Sequence, residues 1–110
     1  MVTAEQAVQW WREGAGVRAQ AGSLTRLAQP VIECATSGST GAAPKIVRRS
    51  VESWRASARV NAQLFSYSPQ DRFAALGALH HSLALYAAFE AQEVGADFVS
   101  VAGGQRTAAL

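Results

Sequence analysis

The residues of this chain that could do chemistry are gathered in one stretch, Thr36-Ser37-Gly38-Ser39-Thr40-Gly41-Ala42-Ala43-Pro44-Lys45. Glycines let a loop take up positive φ and let its backbone approach a ligand closely. Successive N–H groups in such a loop can form an anion-binding concavity. The hydroxyls of Thr36, Ser37, Ser39 and Thr40 add rotatable donors, and Lys45 adds a compact positive charge. This set suits the holding of a polyphosphate. Lys45 is the single lysine of the chain, and the other nine basic residues are arginines. A second feature is His80-His81. Adjacent histidine side chains diverge, and only Glu90 stands within helical reach as a further ligand, so zinc is not expected there.

The elements that must position these residues follow from local signals. Thr3-Ala4-Glu5-Gln6 is a capping box, predicting a helix to about Glu13 that stops at Gly14. Ala7, Trp10 and Trp11 make its apolar face. The letters Gly14-Ala15-Gly16-Val17-Arg18-Ala19 match a dinucleotide fingerprint, but a helix precedes them where a strand is required, and a flexible loop is expected instead. Val31-Ile32-Glu33-Cys34-Ala35 suits a short buried strand. After the glycine loop, Lys45-Ile46-Val47-Arg48 returns as a second strand. Ser50 should cap a helix to about Phe65, with Val51, Trp54, Ala58, Ala62 and Phe65 on one face. Ser68-Pro69-Gln70-Asp71 is turn chemistry. A third strand is expected over 73–76, closed by Gly77. Ser82 is the expected cap of a nearly all-apolar helix to Val94, with Gly95 at its C′ position. A fourth strand is expected over 96–102. Strands alternating with helices predict an α/β fold.

The glycine stretch resembles the phosphate-binding loop of the adenylate-forming superfamily, whose pattern is roughly [ST]-[SG]-G-[ST]-T-G-x-P-K. The match covers Thr36, Ser37, Gly38, Ser39, Thr40, Gly41, Pro44 and Lys45, with Ala42-Ala43 where the family usually has one residue. A second family motif places a histidine between a strand and an apolar helix that ends in Gly-Ala. Here Leu79 leads to His81 and Gly95-Ala96 ends the helix, although no proline precedes the histidine and Ala84 holds the usual glycine place. The likeness spans about 31–102 and is nearest the acyl-CoA synthetase and O-succinylbenzoate–CoA ligase branch. It implies ATP-dependent activation of a carboxylate to an acyl-adenylate, followed by thioester transfer to CoA, with Mg²⁺ sharing the phosphate charge. Lys45 and His81 are then the catalytic candidates, and residues 36–41 with Lys45 hold the nucleotide. Residues 1–30 are expected to be an N-terminal helix and linker, and 31–110 the start of the large AMP-binding domain. The family's adenine-stacking motif, ribose-binding aspartate, hinge and catalytic lysine lie beyond the part corresponding to Leu110. The resemblance thus implies the N-terminal portion of such a ligase. Alone, that portion is expected to lack ligase activity, bind ATP weakly at best and self-associate.

Other readings of the same residues compete. A Walker A loop from Gly38 would need Gly-Lys-[Ser/Thr] where Ala43-Pro44 stand and Ile46 follows Lys45. Gly38-Ser39-Thr40-Gly41 also spells the GXXG of a KH domain, but that motif should link helices, and strands are expected here. A small non-enzymatic phosphate-binding or interaction module remains the alternative class. Net charge is +2, too small to imply a polyanionic partner. Arg48, Arg49, Arg55 and Arg59 are therefore assigned to a solvated face rather than to nucleic acid. Cys34 is the only cysteine, which excludes an intrachain disulfide and suits a small buried hydrophobe. No stretch is apolar and long enough for a membrane span, so a cytoplasmic protein is expected.

Overall fold

In the computed structural model, which describes residues 3–20, 22–35, 45–79, 81–100 and 105–107, Thr3 caps helix α1 (Ala4–Arg12) by the expected capping box. Its Oγ1 accepts from the Gln6 N–H at 3.2 Å, and Gln6 Oε1 accepts from the Thr3 N–H at 2.8 Å. Gly14 follows at φ +79°, a conformation that stops a helix and suits glycine. Ala4, Ala7, Val8 and Trp11 are buried.

The flexible loop expected over 14–19 is instead part of a hairpin. Strands β1 (Gly16–Gln20) and β2 (Ser23–Leu27) pair antiparallel, and Gly22 at φ +79° helps make the turn. The chain then crosses the start of β1 to enter β3 (Val31–Ala35), which runs parallel to β1. Gly16 is needed at that crossing. A Cβ on it would overlap the carbonyl oxygens of Val31 and Gln29 and lie 2.7 Å from Val31 N. The fingerprint-like glycines thus have a structural use: Gly14 ends a helix and Gly16 admits a crossing strand. The stretch expected to be a linker supplies half of a four-stranded sheet, ordered β2-β1-β3-β4.

Strand β4 (Ile46–Ser50) returns antiparallel to β3, with rungs from Ala35·Ile46 to Val31·Ser50. Ser50 caps helix α2 (Val51–Phe65), its Oγ accepting from Ser53 N–H at 3.0 Å. The Val51 N–H donates to the Pro30 carbonyl at 2.9 Å, which pins the start of α2 to the entrance of β3. Of the expected apolar face of α2, Val51 and Ala58 are buried, Trp54 and Ala62 partly so, and Phe65 is exposed.

The remaining elements form a second sheet, ordered β5-β6-β7. Strand β5 (Arg72–Ala75) connects through helix α3 (Ser82–Val94) to the parallel strand β6 (Asp97–Ser100), and β7 (Gln105–Thr107) pairs antiparallel with β6. Leu76, expected in the third strand, lies outside it and is exposed. The residue capping α3 is His81 rather than Ser82, which is already helical. Gly95 ends α3 in the left-handed region at φ +75°, as expected. The core is shared between layers: Val8 and Trp11, Val17, Ile32 and Cys34, then Leu85, Phe89 and Phe98. Trp11 meets Phe89 edge to face at 4.7 Å. The architecture is mixed α and β, in line with the expected class. Among the described residues no helix is long and apolar enough to cross a membrane.

Candidate functional site

A hairpin holds the glycine stretch. β3 and β4 are joined by residues 36–45, and the last rung before that connection is Ala35·Ile46. Of the candidate site residues, Thr36, Ser37, Gly38, Ser39, Thr40 and Gly41 lie outside the described residues, as do Ala42, Ala43 and Pro44. Lys45 is described. It is exposed and stands immediately before the closing rung, so an antiparallel ladder fixes the point from which its side chain starts.

His81 stands at the mouth of α3. Its backbone is extended at φ −88° and ψ 138°, and its side chain makes no capping hydrogen bond. The His81 N–H donates to the Ala78 carbonyl at 3.0 Å, and its own carbonyl accepts from the Leu85 N–H at 2.9 Å. The residue is exposed, and its ring lies over Gly77, with Cδ2 3.9 Å from where a Cβ on that glycine would stand. Ser100 Oγ donates to the Gly77 carbonyl at 3.1 Å, holding the turn that presents His81 against the end of β6. His80 lies outside the described residues. Helix α3 runs antiparallel to α2, with Glu93 against Arg55 and Tyr86 against Asn61. His81 therefore sits toward the end of α2 remote from Ser50.

One polar constellation escaped the sequence reading. Glu90 is buried in α3, and its Oε2 accepts from Asn61 Nδ2 at 2.8 Å. The same amide donates to the Tyr86 hydroxyl at 3.3 Å. Ser57 and Glu90 also hydrogen-bond Tyr86, whose hydroxyl pKa is pushed up to about 12, first by burial and then by Glu90. A hydroxyl with that pKa stays protonated near neutrality and serves as a donor rather than a base. These residues flank an open groove of about 510 Å³ lined by Ala56, Ser57, Val60, Asn61 and Tyr86. The available signal was a polar Asn61 beside the apolar positions Ala58 and Ala62, and Glu90 near the end of the apolar run over 83–91.

The arginines divide. Arg55, expected on a solvated face, bridges α2 to α3 through Glu93 at 3.0 Å and reaches Glu52 at 3.4 Å. Arg48 approaches Glu33 at 3.4 Å. Cys34 is buried, and burial pushes its thiol pKa up, so it behaves as the packed hydrophobe expected of it. Among the described residues no group of three His, Cys, Asp or Glu side chains could hold a metal ion.

Comparison with protein-family models, with curated proteins and with solved structures finds no match for this chain. The functional reading therefore stands on residues and geometry.

Proposed function

We propose that the 36–45 loop holds the β- and γ-phosphates of ATP, and that the chain serves a ligase activating a carboxylate as its acyl-adenylate before transfer to CoA. The observation that supports this reading is the hairpin. A glycine- and hydroxyl-rich connection between two antiparallel strands, closed at Ala35·Ile46 with Lys45 exposed at its end, is the setting in which backbone N–H groups and one cation can surround an anion. In that role Lys45 carries the fixed positive charge and the loop hydroxyls donate to phosphate oxygens. Such groups act by stabilising charge that develops as pyrophosphate leaves. Mg²⁺ would share the phosphate charge, as the family resemblance implies. His81, held at the mouth of α3 by its backbone, would face the acyl and phosphate end.

The test is a pyrophosphate titration of the chain followed by amide NMR, with ATP as a second titrant. Perturbations are expected over 36–46 and at His81. In the Lys45→Ala variant pyrophosphate affinity should fall about tenfold or more, the scale of one hydrogen bond to a charged group. Equal affinity in that variant, or perturbations confined to other elements, overturns the assignment.

A further inference from the structure

β4 ends the first sheet, and among the described residues it pairs only with β3. All five of its residues are exposed, Ile46 by 44% and Val47 by 43%. An open strand edge of this kind is a template for another strand. Two observations specify the chemistry of the strand it would take.

The first is a row of charge that crosses the sheet. Arg18, Glu33 and Arg48 occupy paired positions on β1, β3 and β4. Arg18 donates to Glu33 Oε1 from Nε at 2.8 Å and from Nη2 at 2.7 Å, while Arg48 reaches Oε2 at 3.4 Å. Arg18 thus takes most of the Glu33 charge. The row alternates plus, minus, plus, and it stops at the edge on an arginine side chain that is 61% exposed. A carboxylate is the group that would continue the alternation across the next strand. On the opposite face of β4 stands Val47, paired with Cys34 and flanked on that face by Lys45 and Arg49, so it offers apolar area only to the residue directly opposite it.

The second observation concerns a second copy of this chain. An antiparallel pairing of two β4 edges centred on Arg48 sets Arg48 against Arg48. Centred on Val47, it sets Arg49 against Lys45. Like charges directly opposite are destabilising, so in these two registers the edge disfavours itself.

We propose that the edge of β4 binds an extended segment of another protein as an added strand, with acidic residues toward Arg48 and apolar residues toward Val47. Backbone hydrogen bonds would supply affinity and the alternating side chains selectivity, as in strand addition generally.

The probe is a short dye-labelled peptide of alternating Glu and Val, compared with its Lys-Val counterpart and with a Glu-Val peptide N-methylated at alternate residues. Fluorescence anisotropy reads binding, and amide exchange reads protection of β4. The Glu-Val peptide should bind and protect β4. The Lys-Val peptide should bind about tenfold or more weakly, and Arg48→Glu should invert that order, since the one charge on that face of β4 changes sign toward the peptide residues opposite and diagonal to it. The N-methylated peptide should not bind. Should Arg48→Glu fail to fold beside Glu33, Arg48→Gln must bring the two unmodified peptides to similar affinity. Equal binding of the N-methylated peptide reduces the effect to charge alone and overturns the proposal. So does an unchanged preference in the Arg48 variants. Sedimentation showing a dimer whose β4 amides are already protected assigns the edge to a second copy and overturns it as well.

Discussion

On one side of β3 the sheet has no space to spare, and on the other it is open. Toward β1, the chain crosses so close to Gly16 that not even a methyl group fits. Val17, Ala19, Ile32 and Cys34 are buried there, in one cluster with Ala4, Val8 and Trp11 of α1. Toward β4, every residue is exposed and both the glycine loop and the charge row reach their ends. The stability of this molecule and its candidate chemistry thus occupy different regions. A closed region is sensitive to volume, whereas an open edge tolerates substitution and is read by ligands.

The largest effect that would sharpen this contrast is expected at Phe89, fully buried and met edge to face by Trp11 at 4.7 Å and by Trp54 at 5.7 Å. Phe89→Ala should lose about 3–5 kcal/mol of stability through lost transfer energy and a residual cavity. Leu64→Ala, on the outer face of α2 at 70% exposure, should change stability by no more than about 0.5 kcal/mol. Urea midpoints of the two variants measure the difference. Similar losses at both positions would mean that α2's outer face is covered in solution, and the division into closed and open regions would fail.

Next in size is Gly16→Ala. Its effect is steric, because the atoms a Cβ would meet are backbone atoms of Gln29 and Val31. Neither can rotate away, so β3 must shift from β1. Overpacking of this kind costs about 1–3 kcal/mol, and the upper part of that range is expected. Gly14→Ala offers a comparison by a different mechanism: nothing stands within 4 Å of its Cβ, and only its φ of +79° resists the change. If Gly16→Ala is the milder of the two, the crossing is looser than its geometry implies.

The contrast also explains what could be read in advance. Signals complete within a few residues were legible: the Thr3–Gln6 capping box, Ser50 before α2, Gly95 after α3, and the strand–loop–strand around residues 36–45. The β1–β2 hairpin was not. Its residues carry two arginines and only Val17 and Thr25 as β-branched side chains, and what makes Gly16–Gln20 a strand is the neighbour β3, which comes later in the chain. β7 was missed for the same reason, being short and defined by pairing with β6. The Glu90–Asn61–Tyr86 cluster joins residues 29 and 25 positions apart, beyond any local pattern. Of the two candidate catalytic residues, the structure gives a place for Lys45 at the hairpin's closing rung and for His81 at the start of α3. The helix-capping residue was expected one position late because serine is the better cap by side chain, whereas His81 serves through its backbone alone.

The smallest effect is expected where closed and open regions meet, at Tyr86 between α2 and α3. Burial, and then Glu90, push its hydroxyl from an ordinary 10.0 to about 12. The folded state therefore keeps a proton that the unfolded chain has already released once the pH passes 10. Where the folded state binds more protons than the unfolded one, stability falls as pH rises. The contribution from Tyr86 is fully present below pH 10 and is lost between pH 10 and about 12. Urea midpoints measured on either side of pH 10 should show this decline in the parent chain. In Tyr86→Phe the decline should be shallower. That variant should also begin about 1 kcal/mol less stable near neutrality, because Asn61 and Glu90 lose a hydrogen-bond partner. The two effects run in opposite directions with pH, so the gap between the chains should narrow as the solution becomes alkaline. A constant gap would show that the hydroxyl is as free to ionise in the folded protein as in the unfolded chain. The groove beside it would then be open to water down to Glu90, and the boundary between the closed and open regions would lie deeper than α2.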